Sequence, residues 1–356
     1  MHWSDIPAAS LAVLRKGAVL PAHLLALDAQ RELDRQRQRA MTRYYLDAGA
    51  GGIAVGVHST QFAIRDVGLY EPVLDLAMQT VRDWTPLGGK RPLFMIAGLA
   101  GRTEQALREA ATASAMGYHA GLLSLAAMKG ADEDSLIEHC QQIADVMPVV
   151  GFYLQEAVGG IALSTRFWER FAAIDNVVAI KMAPFNRYRT LDVIRGVVAA
   201  RAEQRVTAYT GNDDHIVLDL LTPFVFQRDG QPVTVRIQGG LLGHWSVWTQ
   251  RAVQLLGRVH RAVATGEIEA DLLALDSQVT DCNSALFDVA HDFHGCIAGC
   301  HEILRRQGLL EGVWCLDPAE GLSPGQAEEL SRVSTAYPEL IDDAFVSANL
   351  PRWLAP

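Results

Sequence analysis

The chain of 356 residues is short of lysine. Lys and Arg together number 31, and only Lys16, Lys90, Lys129 and Lys181 are lysines, which leaves 27 arginines. Basic character therefore rests on a group that stays protonated, and each lysine stands out as a possible reactive amine. Cysteine is also sparse: Cys140, Cys282, Cys296, Cys300 and Cys315 make an odd count with no C-x-x-C spacing. That argues against a disulfide framework and predicts free, mostly buried thiols in a reducing compartment. No uncharged apolar run reaches the ~18 residues that a membrane-spanning helix needs. The net charge of −10 gives the chain no electrostatic reason to approach nucleic acid or anionic lipid. The opening stretch, MHWSDIPAASLAVLRKG, has no basic leader followed by an apolar segment, so the expected compartment is the cytoplasm.

What is present is an alternation of short apolar runs with longer amphipathic stretches. Strands are expected at Ala18–Ala22, Gly52–Val57, Pro92–Ala97, His119–Ser124, Pro148–Tyr153, Val177–Lys181, Arg205–Thr210 and Leu241–Trp245. Helices are expected at Gln30–Ala48, after Thr103 and Asp132, and at Ser164–Ala173 and Thr190–Arg201. The strands are nearly uniformly apolar, as parallel strands covered on both faces must be. Eight of them alternating with helices predict an α/β fold, a (β/α)8 TIM barrel, over residues 1–265. Residues 224–237 alternate around Asp229-Gly230, a hairpin signal, and are expected to project from the N-terminal face. Residues 266–356 are helical in character and are expected to pack on the barrel as a C-terminal extension.

Lys181 is the most informative residue. It ends the run Val177-Val178-Ala179-Ile180, and lysine is rarely buried. Desolvation disfavours the ammonium, lowers its pKa and yields a nucleophile that condenses with ketones. A strand's C-terminal end is where barrels place their chemistry. Tyr153 ends the preceding strand, where a phenol can move protons. His58-Ser59-Thr60 follow the second strand, where hydroxyls and backbone N–H groups can hold a carboxylate. Each has a plainer reading: a snorkelling lysine, an aromatic cap, a polar turn. Two further patterns carry less. Gly49-Ala50-Gly51-Gly52-Ile53-Ala54 fits a loose dinucleotide motif, but a helix precedes it and a strand follows, the reverse of what that site requires. Asp288, His291 and Asp292 would share a helix face, with His294, Cys296, Cys300 and His301 nearby, and could hold a metal. The segment lies outside the barrel strands, so no metal is expected.

Taken in order, these segments resemble the dihydrodipicolinate synthase / N-acetylneuraminate lyase family of Schiff-base-forming class I aldolases. The resemblance runs from about residue 17 to 256. Gly52-Ile53-Ala54-Val55-Gly56-Val57-His58-Ser59-Thr60-Gln61-Phe62 is similar to that family's Gly-Ile-x-x-x-Gly-Thr-Thr-Gly-Glu segment. Phe152-Tyr153 resembles its strand-five tyrosine. Asn176-Val177-Val178-Ala179-Ile180-Lys181 matches Asn-Val-x-Gly-Ile-Lys, and Thr210-Gly211-Asn212-Asp213-Asp214 looks like its Ser-Gly-Asp-Asp turn. The resemblance implies that Lys181 is the Schiff-base lysine and Tyr153 the proton shuttle. It implies that Ser59, with His58 and Thr60, holds a 2-oxo acid carboxylate, and that Gly211 and Asn212 line the pocket. Trp245 falls where relatives have a smaller aliphatic wall. There are departures. Ser124-Leu125-Ala126-Ala127-Met128 replaces a Pro-Tyr-Tyr-like loop, and Val158 stands where dihydrodipicolinate synthases carry an arginine for the second substrate.

The expected activity is thus a pyruvate-type class I lyase or aldolase on a small 2-oxo acid, distinct from a typical dihydrodipicolinate synthase. It needs no cofactor beyond the lysine imine, and resemblance implies a homo-oligomer, dimer or tetramer. One alternative within the same chemistry is a hydro-lyase or hydratase-aldolase on a sugar acid or aromatic 2-oxo acid, for which Trp245 would be a flat wall. A second is a barrel that binds a metabolite without turning it over.

Overall fold

The computed structural model describes residues 1–356. Ten strands occur: β1 (Val19–Pro21), β2 (Ala54–Val55), β3 (Ile96–Leu99), β4 (Ala120–Leu123), β5 (Val149–Leu154), β6 (Val177–Ala183), β7 (Thr207–Thr210), β8 (Phe224–Arg228), β9 (Gln231–Val235) and β10 (Ile237–Leu242). The helices are α1 (Ala8–Lys16), α2 (Arg35–Ala48), α3 (Tyr70–Asp83), α4 (Thr103–Met116), α5 (Glu133–Ala144), α6 (Thr165–Ala173), α7 (Arg187–Ala199), α8 (Ile216–Leu221), α9 (Thr249–Thr265), α10 (Ala270–Leu286), α11 (Cys296–Arg306), α12 (Gln326–Ala336) and α13 (Asp343–Leu354). Hydrogen bonds join eight strands in the order β1-β10-β7-β6-β5-β4-β3-β2. This is a nearly closed (β/α)8 TIM barrel with helices between its strands and a helical C-terminal extension. No helix is long and apolar enough to cross a membrane.

The chain divides into two compact units, Met1–Ala18 with Pro92–Leu241 and Val19–Arg91 with Leu242–Pro356. In the first, β3 to β7 form a parallel run, and β10 joins β7. Helices start where side chains can accept from exposed N–H groups: Asp132 caps α5, Ser164 caps α6 and Asn186 caps α7. Phe167, Trp168 and Phe171 of α6 are all buried, each contributing about 1.5–3 kcal/mol through removal from water. Phe171 lies against the Cα of Gly151 on β5 and beside Ile180 of β6, which marks the helix-facing side of both strands. The hairpin forms as expected, with β8 and β9 antiparallel. Asp229 and Gly230 both take positive φ, 53° and 75°, the conformation such a two-residue turn demands.

In the second unit, Asp34 caps α2, which ends at Gly49 in the left-handed conformation. The bridge Ala22↔Ala54 ties the segment after β1 to β2. The extension supplies α10 to α13: α12 packs on α10 and α11, and α13 on α2. The expected helical face of Asp288, His291 and Asp292 does not form. Asp288 and Asp292 sit at φ 55° and 51°, so the chain turns left-handed on either side of Val289–His291. Asp288 instead braces this turn, bonding His291 Nδ1 at 2.6 Å, Gly295 N at 3.0 Å and the Ser323 hydroxyl.

Candidate active site

The lysine region lies wholly in the first unit. β6 is buried along its length because Val-Val-Ala-Ile-Lys-Met-Ala offers apolar side chains to both faces, with Lys181 as the exception. Lys181 is 8% exposed. Burial drives its amine down to about 8 against the opposing attraction of Asp213. Its Nζ stands 4.4 Å from the centre of the Phe152 ring. β5 and β6 pair with Phe152 opposite Lys181 and Tyr153 opposite Met182. Because successive strand residues face opposite sides, Phe152 shares the face of Lys181 while Tyr153 shares that of Gly151, toward α6. The Tyr153 ring lies 5.2 Å from that of Trp168, and its hydroxyl accepts from Leu163 N at 3.2 Å. Burial raises its pKa. The neighbour of the amine on β5 is therefore Phe152, and the expected placement of the Tyr153 phenol beside Lys181 is corrected by the register.

Gly211 is where the sequence places it, after β7, and the reason for glycine is close approach. A Cβ there would lie 2.7 Å from Lys181 Cε and 2.8 Å from Ala183 Cβ. Its N–H donates to Met182 O at 2.6 Å. Asn212, expected to line the pocket, borders a cavity with Asn186, Arg187, Thr190, Asp214 and His215, and its side chain is also a brace. Its amide donates to Thr190 Oγ1 at 3.1 Å and Asp219 Oδ2 at 2.9 Å, and its oxygen accepts from Phe185 N at 3.1 Å. Asp219 also takes the Thr210 hydroxyl at 2.6 Å and pairs with Arg187. Asp213, two residues beyond Gly211, is 8% exposed and is the charged group acting on the Lys181 amine. No role for Asp213 follows from the sequence alone, where the available signal is a carboxylate two positions past the close-packed glycine.

The hydroxyl loop lies wholly in the second unit. His58, Ser59 and Thr60 form a 3-10 turn just after β2. His58 is half-buried, its ring 5.8 Å from Phe62. Thr60 is fully buried, and its hydroxyl donates to His23 O at 2.6 Å while accepting from Gly56 N at 3.0 Å and Val57 N at 3.2 Å. Those bonds hold the turn, so of the two hydroxyls Thr60 is structural. Ser59 donates to Ala22 O at 3.0 Å, and the same carbonyl takes the Ser246 hydroxyl at 2.6 Å. His23, which the sequence did not flag, is buried and held by Thr42 Oγ1 at 2.8 Å and Leu24 O at 2.7 Å; burial lowers it to about 4, so it is neutral at pH 7. Gln61 follows at φ 66°, its Oε1 accepting from Leu316 N at 2.6 Å. The last barrel strand ends at Leu242, three residues before Trp245, so Trp245 stands in a 3-10 turn rather than at a strand end. It is 0% exposed and its indole N–H has no hydrogen-bond partner. It is a core residue here, not an open wall. No group of three or more His, Cys, Asp or Glu side chains is arranged to hold a metal ion.

The fold is that of the lyase-type aldolase barrels. The chain belongs to the dihydrodipicolinate synthetase family, whose model matches residues 15–223. Solved structures agree at low identity. Dihydrodipicolinate synthase from Aquifex aeolicus is 17% identical, with a TM-score of 0.72 over 92% of this chain and 99% of that one. CdNal from Clostridium difficile, in complex with mannosamine, is 13% identical, with a TM-score of 0.71 over 90% and 99%. The chloride-inhibited dihydrodipicolinate synthase from Acinetobacter baumannii, complexed with pyruvate, is 16% identical, with a TM-score of 0.71 over 94% and 100%. A search of curated protein sequences finds no match.

Proposed function

We propose that this chain is a cytoplasmic, homo-oligomeric class I lyase or aldolase that binds a small 2-oxo acid as a Schiff base on Lys181. The observation that carries the reading is a buried amine on an apolar strand with its pKa lowered to about 8, so that a useful fraction is neutral near physiological pH. Neutral Nζ adds to the C2 ketone, the carbinolamine loses water, and the iminium that results draws electrons from C3. The imine is itself the electron sink, so the proposal calls for no cofactor. Gly211 leaves the lysine methylenes room to reach the substrate. In the second unit, Ser59 is the hydroxyl proposed for carboxylate binding, since it could exchange the Ala22 carbonyl for a carboxylate while Ser246 keeps Ala22 O satisfied.

The test is reductive trapping. Incubation with pyruvate and borohydride is expected to add one reduced adduct, located on Lys181 by peptide mass spectrometry and absent in Lys181→Ala. Well-folded protein that traps neither pyruvate nor other 2-oxo acids would sink the Schiff-base reading and favour a barrel that binds a metabolite without turnover. A panel of sugar acids and aromatic 2-oxo acids, read for water loss against aldehyde release, separates lyase from hydro-lyase.

A further inference from the structure

A cation held away from water needs a group to stabilise its charge, and the choice of group sets how readily that charge is given up. A carboxylate in contact holds an ammonium firmly and keeps it protonated, while an aliphatic wall offers it nothing. An aromatic face lies between the two, because its negative quadrupole attracts a cation without taking its proton. The fold puts such a face at the amine. β5 and β6 pair with Phe152 opposite Lys181, and strand alternation sends both side chains to the same side of the sheet. Lys181 Nζ stands over the Phe152 ring, 4.4 Å from its centre. Both residues are nearly closed to solvent, Phe152 at 6% and Lys181 at 8% exposure. Gly211 packs on the lysine chain, where a Cβ would come within 2.7 Å of Cε, so the turn after β7 confines the methylenes as well.

The titratable groups toward the amine come from three elements. Asp213, in the turn after β7, attracts it through its charge. Tyr209, opposite Lys181 on β7, has its hydroxyl committed, donating to Leu14 O at 2.9 Å and accepting from Ala18 N at 3.2 Å. On β5 the Tyr153 phenol faces α6 and accepts from Leu163 N. We propose that the face of the Phe152 ring holds the positive charge on Nζ, first in the Lys181 ammonium and then in the iminium that replaces it. The second half rests on the Schiff-base reading above. The conversion balances: ammonium and ketone give iminium and water, the Nζ–C2 bond forms as the C2–O bond breaks, and one positive charge stands at nitrogen before and after. A ring that holds the first cation is therefore in place for the second, which must stay protonated to draw electrons from C3. Desolvation strengthens the attraction of a ring face for a cation, and the burial of both residues supplies it.

Fluorination draws electron density from a ring face and leaves its apolar bulk nearly unchanged, so it separates charge from packing. Phe152 is replaced in the full chain by mono-, tri- and pentafluorinated phenylalanine. The chain has only four lysines, and with their ε carbons isotopically labelled the Lys181 signal is the one lost in Lys181→Ala. Its NMR titration midpoint is expected to fall step by step with fluorine content, by about one pH unit in the pentafluorinated protein. The sign follows from the ring's hold on the ammonium: with a weaker ring the proton leaves at lower pH. Phe152→Leu, an apolar wall with no π face, is expected to match the pentafluorinated protein. Reductive trapping reads the iminium. At pH 6, where nitrogen is charged before and after, the pyruvate concentration for half-maximal trapping is expected to stay within about twofold across the series. At pH 9, where a neutral amine becomes a charged iminium, it is expected to rise severalfold. A midpoint that stays put through the fluorinated series would overturn the proposal whether or not pyruvate is trapped. A fall in Phe152→Leu alone would make the ring a packing wall and overturn it too. Half-maximal trapping unchanged at pH 9 would overturn the iminium half. A midpoint that falls while the wild type traps no 2-oxo acid refutes the Schiff-base reading, and the role in the reaction goes with it.

Discussion

The lysine region and the hydroxyl loop treat polar atoms in opposite ways. Around Thr60 and Ser59 the polar groups are spent on the fold: one hydroxyl closes the turn through Gly56, Val57 and His23, and the other is taken up by the Ala22 carbonyl. Around Lys181 an ionisable amine is set among apolar side chains, against a phenyl ring and a glycine, with a carboxylate as its charged neighbour. The first arrangement stabilises, since buried polar groups cost little once paired. The second costs stability, since burying a charge is expensive, and keeps an amine near neutrality. A fold that bears such a cost at one residue, in a chain with only four lysines, points to where the chemistry lies.

Three experiments would break or sharpen this contrast. The largest effect is expected from pH. Only the neutral amine adds to a ketone, and burial has lowered its pKa, so the trapping rate should climb about tenfold per pH unit below 8 and level off above it. A rate still climbing steeply from pH 8 to 10 would mean an amine with an ordinary lysine pKa and would remove the burial argument. Next in size is Thr60→Val. It leaves Gly56 N and Val57 N without their acceptor and should lower unfolding free energy by about 2–3 kcal/mol in denaturant titrations. Ser59→Ala should cost under about 1 kcal/mol, because Ala22 O keeps its bond from Ser246. Equal losses would mean the two hydroxyls are not divided between structure and substrate. The smallest is Tyr153→Phe. Leu163 N loses its acceptor, costing about 1 kcal/mol, with pyruvate deuterium exchange held at the wild-type rate. A collapse of exchange would give the phenol a part in proton transfer after all.

Several features were legible from the residues alone. Lys181 stood out because an apolar run rarely tolerates lysine. The hairpin was announced by Asp229-Gly230, whose positive φ values few other pairs accept. Strand limits were harder to read where composition is uniform. β3 begins at Ile96, four residues past the expected Pro92, because Pro-Leu-Phe-Met-Ile-Ala-Gly-Leu is apolar throughout and no alternation fixes its ends. β10 takes in Gly239 and Gly240 and stops at Leu242, which turned the expected strand-end Trp245 into a buried side chain. The Tyr153 placement failed for a related reason. Phe152 and Tyr153 are both aromatic at a strand end, and which one meets Lys181 depends on long-range pairing that a one-residue slip reverses. The role of Asn212 depended on Thr190 and Asp219, which no local pattern links to it.

The bond between Gln61 and Leu316 spans 255 residues of chain. The Gln61 side chain, directly after the turn that carries Ser59 and Thr60, thus cannot gain this partner until 255 further residues have been made. Contacts closed over such distances form late, after the entropy of the intervening chain has been offset by nearer pairings. During synthesis the turn at Ser59 and Thr60 can therefore close on His23 and Ala22 early, while the Gln61 side chain waits for the segment around Leu316.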